Sequence, residues 1–135
     1  MDHLTDYLTD TVAFVRYLED RLPPRVDRVF RDAEAGRNHL LIPEIALAEF
    51  LYIALRGRLR GPRPELLVRE VLHDLSASEA FTVSSMPSTG WEVFLDLRVR
   101  ELHDRMIASE AIARGVPLIS NDPVFDGVPR LRAIW

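Results

Sequence analysis

The sequence contains no cysteine and no lysine, and all 17 of its basic residues are arginine. Without cysteine, disulfides, thiolate nucleophiles and zinc–thiolate sites are excluded. Without lysine, a Walker A loop, a Schiff-base enzyme and a phosphoryl-transfer site with a catalytic lysine are excluded. No apolar run approaches the roughly 18 residues of a membrane span. These absences direct attention to sites built from other side chains, above all carboxylates.

The 135 residues are the length of one domain, and we predict a single domain over residues 1–135. A chain of this size buries roughly two-thirds of its unfolded surface, which is enough for a hydrophobic core. With 47% apolar and 28% charged residues, the composition is ordinary for a soluble globular protein. The first residues lack the basic region of a signal peptide, so we expect a cytoplasmic protein that does not associate with membranes.

Short apolar segments alternate with helical segments along the chain. Strands are predicted at residues 7–9, 40–42, 81–83, 116–120 and 131–135. Helices are predicted at residues 12–18, from Pro23-Pro24 to Gly36, from Pro43 to Gly57, and at 65–75, 91–102 and 104–114. This alternation is typical of an α/β domain with a central, mainly parallel sheet and helices on both faces. In such sheets ligands bind beyond the carboxyl ends of the strands.

Two acidic residues follow predicted strands directly. Asp10 comes after the first strand and Asp122 follows the strand at 116–120, so both are expected at the carboxyl edge of the sheet. The alternative for each is a structural role, because aspartate is a favoured helix N-cap and turn residue.

Two further acids lie on predicted helices. Glu49 has only apolar helical neighbours, at i−4, i−3, i+3 and i+4, and a carboxylate desolvated by them needs an ion pair or a metal. The structural alternative is an ion pair with an arginine. Asp104 opens the helix at 104–114, where the helix dipole or capping alone would account for an acid.

Taken together, the four carboxylates predict a site for hard divalent cations. Mg²⁺ takes oxygen ligands and uses a few carboxylates while it keeps several waters. Two such ions about 3.5–4 Å apart activate a water and stabilise the leaving oxygen of a phosphodiester. That chemistry requires clustered acids and no cysteine, lysine or serine nucleophile.

The four acidic segments resemble, in order and spacing, the motifs of PIN-domain nucleases, and within that superfamily those of VapC-type toxins. The resemblance covers nearly the whole chain. The segments are YLTDT at 7–11, LIPEIALAE at 41–49, HDRMIASEA at 103–111 and PLISND at 117–122. It implies a PIN-like three-layer domain and a Mg²⁺- or Mn²⁺-dependent endoribonuclease. It also implies a homodimer that a small cognate antitoxin holds inactive.

The resemblance also assigns roles to residues. Asp10 and Asp104 are expected to be direct metal ligands, and Glu49 and Asp122 to be second ligands or to position water. Thr11 or Ser120 is expected to orient a carboxylate or a phosphate. Two other acids are weaker candidates: Asp6 competes for the first position but lacks the apolar stretch that follows Asp10, and Asp126 is an outer candidate or a loop residue.

The net charge of −4 argues against a nucleic-acid partner. Without the four site acids, however, 17 acidic residues balance 17 arginines, and bound metal offsets the acids locally. A cluster of arginines after the Glu49 helix is a candidate contact for a phosphate backbone, the alternative being a solvated turn with cations at a helix C-terminus. Its members are Arg56, Arg58, Arg60 and Arg63.

Several residues are interpreted as non-catalytic. The histidines show no paired metal-ligand spacing, and His103, next to Asp104, is expected to be solvated. They are His3, His39, His73 and His103. An aromatic and aliphatic group is expected in the core or on a dimer surface, ahead of a base-stacking role. It consists of Trp91, Phe94 and Leu95.

Two rival functions remain. The first is a catalytically silent PIN-fold module that binds RNA or protein. The second is a receiver domain or a haloacid-dehalogenase-like phosphatase, which also carries acids at strand ends. Both members of the second class use a lysine, and the phosphatase needs an aspartate where Val12 stands, so the sequence disfavours them.

Overall fold

The computed structural model describes residues 4–58 and 63–135. The described residues form one five-stranded sheet in the order β3-β2-β1-β4-β5, in which every neighbouring pair is parallel. The predicted α/β class with a parallel sheet is confirmed. The strands are β1 (Thr5–Thr9), β2 (Asn38–Pro43), β3 (Phe81–Ser84), β4 (Leu118–Ile119) and β5 (Ala133–Ile134).

The same residues form six α-helices and one short 3-10 helix that follows β4. The 3-10 helix spans Pro123–Phe125. The α-helices are α1 (Thr11–Leu18), α2 (Pro24–Glu34), α3 (Glu44–Leu55), α4 (Pro64–Ala77), α5 (Ser88–Asp96) and α6 (Leu102–Arg114). None of them is both long and apolar enough to cross a membrane.

Adjacent residues of the inner strands point to opposite faces of the sheet, because side chains alternate along a strand. In β2, Leu41 packs into a core built with α3, α4 and α6, whereas Leu40 packs with Phe30 and Ala33 of α2. Both faces are therefore covered, which explains the continuous apolar runs in these strands. The result is three layers, with helices on either side of the sheet.

The prediction of a helix over 91–102 holds as far as Asp96 and is wrong beyond it. Helix α5 ends at Asp96, and residues 97–101 run extended to α6, which begins at Leu102. Along this link Leu97 and Val99 are buried while Arg98 and Arg100 are exposed, an alternation that indicates extended chain.

The side chain of Arg105 stabilises this break. Its guanidinium donates to the carbonyl oxygens of Phe94 (2.7 Å) and Leu95 (3.1 Å) near the end of α5, and to that of Val99 in the link (3.4 Å). These carbonyls include ones left without helical partners where α5 ends. Because the donor comes from the following helix, a local helical pattern does not reveal the break.

The last two strands are shorter than predicted. Only Leu118–Ile119 and Ala133–Ile134 are strand, where 116–120 and 131–135 were expected. The register still aligns the strands: Thr9 pairs with Ile119, and Ile119 with Ile134. Since the sheet is parallel, β1, β2 and β4 end at the same edge, where Asp10 and Asp122 follow β1 and β4.

Candidate active site

Asp10 is a buried carboxylate at the carboxyl end of β1. It is the N-cap of α1, and its Oδ1 accepts a hydrogen bond from the backbone N–H of Ala13 at 2.8 Å. The side chain of Ser120, at the end of β4, also hydrogen-bonds to it. Only 6% of Asp10 is exposed. The capping role expected as an alternative is therefore present, and the carboxylate also faces the neighbouring strand end.

Asp122 caps the next element in the same manner. Its Oδ1 accepts from the backbone N–H of Val124 at 3.0 Å, at the start of the 3-10 helix. Its own backbone N–H donates to the Ser120 hydroxyl at 3.1 Å. Ser120 therefore contacts both strand-end acids. Unlike Asp10, Asp122 is exposed, so its carboxylate is open to solvent and to a ligand.

Glu49 is less desolvated than its apolar neighbours suggest. Its side chain is 31% exposed, because Tyr52, one turn further along α3, is itself mostly exposed. Its Oε1 accepts from the Thr11 hydroxyl at 2.8 Å, and its Oε2 lies 3.5 Å from His103 Nδ1. No arginine pairs with Glu49 in the described chain, so the structural alternative of an arginine ion pair is wrong.

Asp104 lies in the first turn of α6 and does not open the helix. Glu101 is the N-cap, and its carboxylate accepts from the Asp104 backbone N–H at 2.7 Å. The expectation that Asp104 opens or caps this helix is therefore wrong. Its carboxylate is half-buried and forms no ion pair with a basic side chain among residues 4–58 and 63–135.

The four acids act on one another electrostatically. Burial, together with the negative charges of neighbouring acids, raises the pKa of Asp104 to about 6; these acids are Glu101, Asp122, Glu49 and Asp10. Burial also raises the pKa of Asp10, against the hydrogen bonds from Ser120 and Ala13, and the charges of Asp122 and Glu49 add to the rise. Proximity of like charges disfavours ionisation. The fold thus brings together all four acids proposed from the sequence.

His103 contacts this cluster, although its side chain remains 41% exposed. Its Nδ1 lies 3.1 Å from Glu101 Oε1 as well as 3.5 Å from Glu49 Oε2, so it bridges α3 and the start of α6. Glu101 is the residue that the sequence reasoning missed, and His103 was considered but not assigned to the site. The signal was their position next to Asp104 in a helix that begins two residues earlier than predicted.

Carboxylate oxygens are the ligands that Mg²⁺ and Mn²⁺ prefer, so the donor set fits a hard divalent cation. Across residues 4–58 and 63–135, no arginine forms an ion pair with any of the four acids. No three acidic or histidine side chains within those ranges converge into a formed metal-binding group. Mg²⁺ commonly binds through one or two carboxylates and keeps several waters, which the open Asp122 and Asp104 allow.

Other candidates lie away from the four acids. Asp6 is exposed near the start of β1, four residues before Asp10, and its Oδ1 lies 3.2 Å from His39 Nδ1. The other ring nitrogen of His39 lies 2.7 Å from the Thr82 hydroxyl. Asp6 therefore belongs to a cross-strand contact at the opposite end of β1. Asp126 is exposed after the 3-10 helix and lines a separate cavity.

The arginine cluster is only partly described, whereas all three residues of the aromatic group are described. Arg56 donates to the Tyr52 hydroxyl at 2.8 Å and lies over its ring, while Arg60 and His3 fall outside the described residues. Trp91 and Leu95 are 48% and 75% exposed, so neither lies in the core, and the dimer surface that was the other expectation stays a prediction.

The sequence model of the PIN domain family matches residues 7–131. The chain belongs to the PIN domain family. The matched range contains all four acids, the strands β2, β3 and β4, and β1 from Tyr7 onward. Strand β5 lies beyond it. A comparison with curated protein sequences found no match.

Solved structures with similar folds include toxin–antitoxin complexes. One is VapBC2 from Rickettsia felis bound to a DNA fragment from their promoter, with 20% identity, TM-score 0.75, and coverage of 96% of this chain and 98% of that chain. Another is a toxin–antitoxin complex from Klebsiella pneumoniae, with 16% identity, TM-score 0.63 and 96% coverage of each chain. A third is VapBC-5 from Mycobacterium tuberculosis, with 19% identity, TM-score 0.59, and coverage of 96% and 98%. At these identities the likeness establishes a shared fold.

Proposed function

We propose that this PIN domain is a Mg²⁺- or Mn²⁺-dependent endoribonuclease, the toxin of a VapBC-type pair. The observation that carries the proposal is the set of four mutually repelling carboxylates at one edge of the sheet, with no arginine neutralising them within the described residues. Like charges held this close together destabilise the folded state unless a bound ligand of opposite charge offsets their repulsion. A divalent cation is the ligand that this charge and these donor atoms favour.

Asp10 and Asp104 are proposed as direct metal ligands, with Glu49 and Asp122 as further ligands or as groups that position water. When bound, the cation supplies activation of water and stabilisation of the leaving oxygen of a phosphodiester. The chain contributes orientation: Thr11 donates to Glu49, and the capping bond from Ala13 fixes Asp10. The bound cation also offsets the negative charge that would otherwise repel RNA.

The proposed partners are suggested by the solved structures of similar fold, which come from toxin–antitoxin systems. We extend this to the present chain: a cognate antitoxin protein binds it and holds it inactive, and two copies form a homodimer. Size-exclusion chromatography with light scattering tests the homodimer directly, since a monomer mass at micromolar concentration would contradict it.

Cleavage of a mixed pool of structured and single-stranded RNA by the purified protein tests the nuclease. We expect cleavage with Mg²⁺ or Mn²⁺ that is lost with EDTA and in Asp104→Asn. Asp6→Asn is the matched control, because it removes an acid from the opposite end of β1 and should cleave at the wild-type rate. Cleavage that survives both EDTA and Asp104→Asn contradicts the proposed site. No cleavage by a protein that binds RNA supports the catalytically silent module.

A further inference from the structure

A cavity of about 400 Å³ lies between α3 and the first turn of α6, and one of the four acids lines it. This volume falls within the range of small-ligand pockets. Glu49 is that acid, and His103, which precedes Asp104 in the chain, lines the cavity from α6. The cavity therefore adjoins the proposed active site through a shared residue. The other lining residues come from α3 and are Ile45, Ala48, Tyr52 and Ile53.

Two aromatic rings line this cavity, one from each helix. The ring of Tyr52 belongs to a residue that is 58% exposed, and the imidazole of His103 belongs to a side chain that is 41% exposed. Aliphatic side chains of α3 form most of the remaining wall. Proteins bind single-stranded nucleic acid by stacking its bases on exposed aromatic side chains, tyrosine and histidine among them. The cavity walls therefore suit a flat, largely apolar ring such as a nucleobase.

Arg56 holds the tyrosine ring in place and carries a charge that is not neutralised. Its guanidinium donates to the Tyr52 hydroxyl at 2.8 Å and lies 5.2 Å from the centre of the ring. Both contacts are with a neutral group, and Arg56 forms no ion pair with another residue in the part of the chain that is described. A guanidinium of this kind is free to bind phosphate oxygens.

Glu49, Tyr52 and Arg56 follow one another along a single face of α3, because residues three and four apart are neighbours on a helix. A rise of 1.5 Å per residue places Arg56 about 10 Å further along the helix axis than Glu49. Moving away from the four acids, the helix thus presents a carboxylate, then a ring, then a cation. RNA has the complementary order: a phosphate at the metal, then a base, then another phosphate. This charge complementarity favours RNA over an apolar peptide in the cavity.

We propose that this cavity binds the base of the nucleotide next to the scissile phosphate, with Tyr52 as the stacking surface and Arg56 as the contact for the adjacent phosphate. The substrate must then be single-stranded at this nucleotide, because a base inside a duplex is stacked and paired and does not reach the ring. Every base has a flat face, so stacking gives little preference among the four bases. This inference rests on the proposed function, because it assumes that RNA reaches the four acids.

The test measures binding, separately from cleavage. Fluorescein-labelled RNA octamers of mixed sequence, single-stranded or annealed to their complements, are titrated with the Asp104→Asn protein, which is expected not to cleave them. Tyr52→Leu is then added to this parent: leucine is apolar and favours helix, so the fold is kept while the ring is lost. Tyr52→Phe keeps the ring. Trp91→Leu is the matched control, because it removes another exposed ring that does not line this cavity.

We expect Tyr52→Leu to weaken binding of the single-stranded octamers about 10-fold and binding of the duplex less than about twofold. Tyr52→Phe and Trp91→Leu should each stay within about threefold of the parent. Arg56→Met should lower the salt-dependence slope for single strands by about 0.7, the loss of one phosphate contact. The subsite is overturned if Tyr52→Leu binds single strands within about twofold of the parent, or weakens both forms of RNA equally. So does the lack of octamer binding by the parent at about 0.1 mM protein.

The same substitution separates this inference from other occupants and from the proposed function. If Tyr52→Leu lowers the mass measured by light scattering, the ring belongs to a contact between copies of the chain and the subsite is wrong. If the wild-type chain cleaves RNA and Tyr52→Leu alone binds and cleaves equally well, the nuclease stands and the subsite is wrong. If the wild-type chain with Mg²⁺ or Mn²⁺ cleaves no RNA, yet Tyr52→Leu weakens binding of single strands alone, the stacking site stands and the nuclease is wrong.

Discussion

Helix α6 carries two acids with opposite surroundings. Glu110 is 3% exposed, and its carboxylate accepts from the Ser84 hydroxyl and from Arg114 Nε at 2.9 Å. Asp104, in the first turn of the same helix, has no arginine partner in the described chain and faces three other acids across the sheet edge. Within the described residues, the structural acid Glu110 has an arginine partner, whereas the four acids of the site have none.

The difference shows that burial alone does not distinguish a functional acid from a structural one. Glu110 is more buried than Asp104 or Glu49, yet its negative charge is paired with an arginine inside the protein. Among the described residues, the four acids of the site contact only hydroxyls, backbone N–H groups and His103, which offset their negative charge in part. An unmatched set of charges at a ligand-binding edge indicates a ligand of opposite charge.

The largest expected effect is on catalysis, from Asp10→Asn. Asparagine keeps the N-cap of α1, so the fold should be retained while the proposed metal loses a carboxylate. We expect cleavage of RNA to fall at least about 100-fold. Initial rates on a fluorogenic RNA measure it, with circular dichroism as the check on folding. A folded Asp10→Asn protein that cleaves at the wild-type rate would remove Asp10 from the site.

The next effect is on stability, from Arg114→Met. This change leaves the Glu110 carboxylate buried with Ser84 as its remaining partner, and the free energy of unfolding should fall by about 3 kcal/mol. Urea denaturation at neutral pH measures it. The double variant Glu110→Gln/Arg114→Met should recover part of the loss, because no charge is then buried unpaired. Equal losses in the single and double variants would show that the ion pair itself contributes little.

A smaller effect is expected from Thr11→Val. The variant keeps the shape of the side chain and removes the hydroxyl that donates to Glu49, so cleavage should fall about 10-fold with little change in folding. Thr11→Ser keeps the donor and should retain most of the activity. If Thr11→Ser and Thr11→Val are equally impaired, packing of the methyl group matters and orientation of Glu49 does not.

The smallest effect is a gain in stability from Asp104→Asn. The pKa of Asp104 in the folded protein is raised to about 6, so the folded state holds this proton more tightly than the unfolded state. Wild-type stability should therefore fall as pH rises from about 4 through 6, and Asp104→Asn should escape that fall. After allowance for solvent screening, we expect the variant to be more stable by about 1 kcal/mol at pH 7.

The pH series supplies the check on that gain. Urea midpoints of wild type and Asp104→Asn should lie closest near pH 4 and diverge as the pH rises, because the unfolded carboxyl, with its ordinary pKa of 3.8, is ionised well before the folded one. A constant difference between the two proteins from pH 4 to pH 7 would mean that the substitution acts through packing and not through charge.

Much of the fold was predictable because its signals are local. Gly115, at φ +67°, ends α6 where the sequence predicts an end, and the alternation of apolar segments with helices gave the parallel sheet. The placement of Asp10 and Asp122 follows from the topology, since acids after parallel strands share an edge.

The errors arose where distant residues decide the structure. Helix α5 ends at Asp96, where Arg105 of the next helix donates hydrogen bonds to its last carbonyl oxygens, and the alternation over 97–100 was the only local sign. The partners of Glu49 are Thr11 and His103, which come from other helices. Residue spacing within α3 does not identify partners of that kind.

The most direct test of the central claim is the effect of Mn²⁺ on the unfolding temperature of wild type, Asp104→Asn and Asp6→Asn. If the four carboxylates hold a divalent cation, saturating Mn²⁺ should raise the midpoint of wild type and Asp6→Asn by about 5 °C, through binding to the folded state alone. Asp104→Asn should show a much smaller rise. Equal shifts in all three proteins, or no shift in wild type, would contradict a metal site at this edge of the sheet.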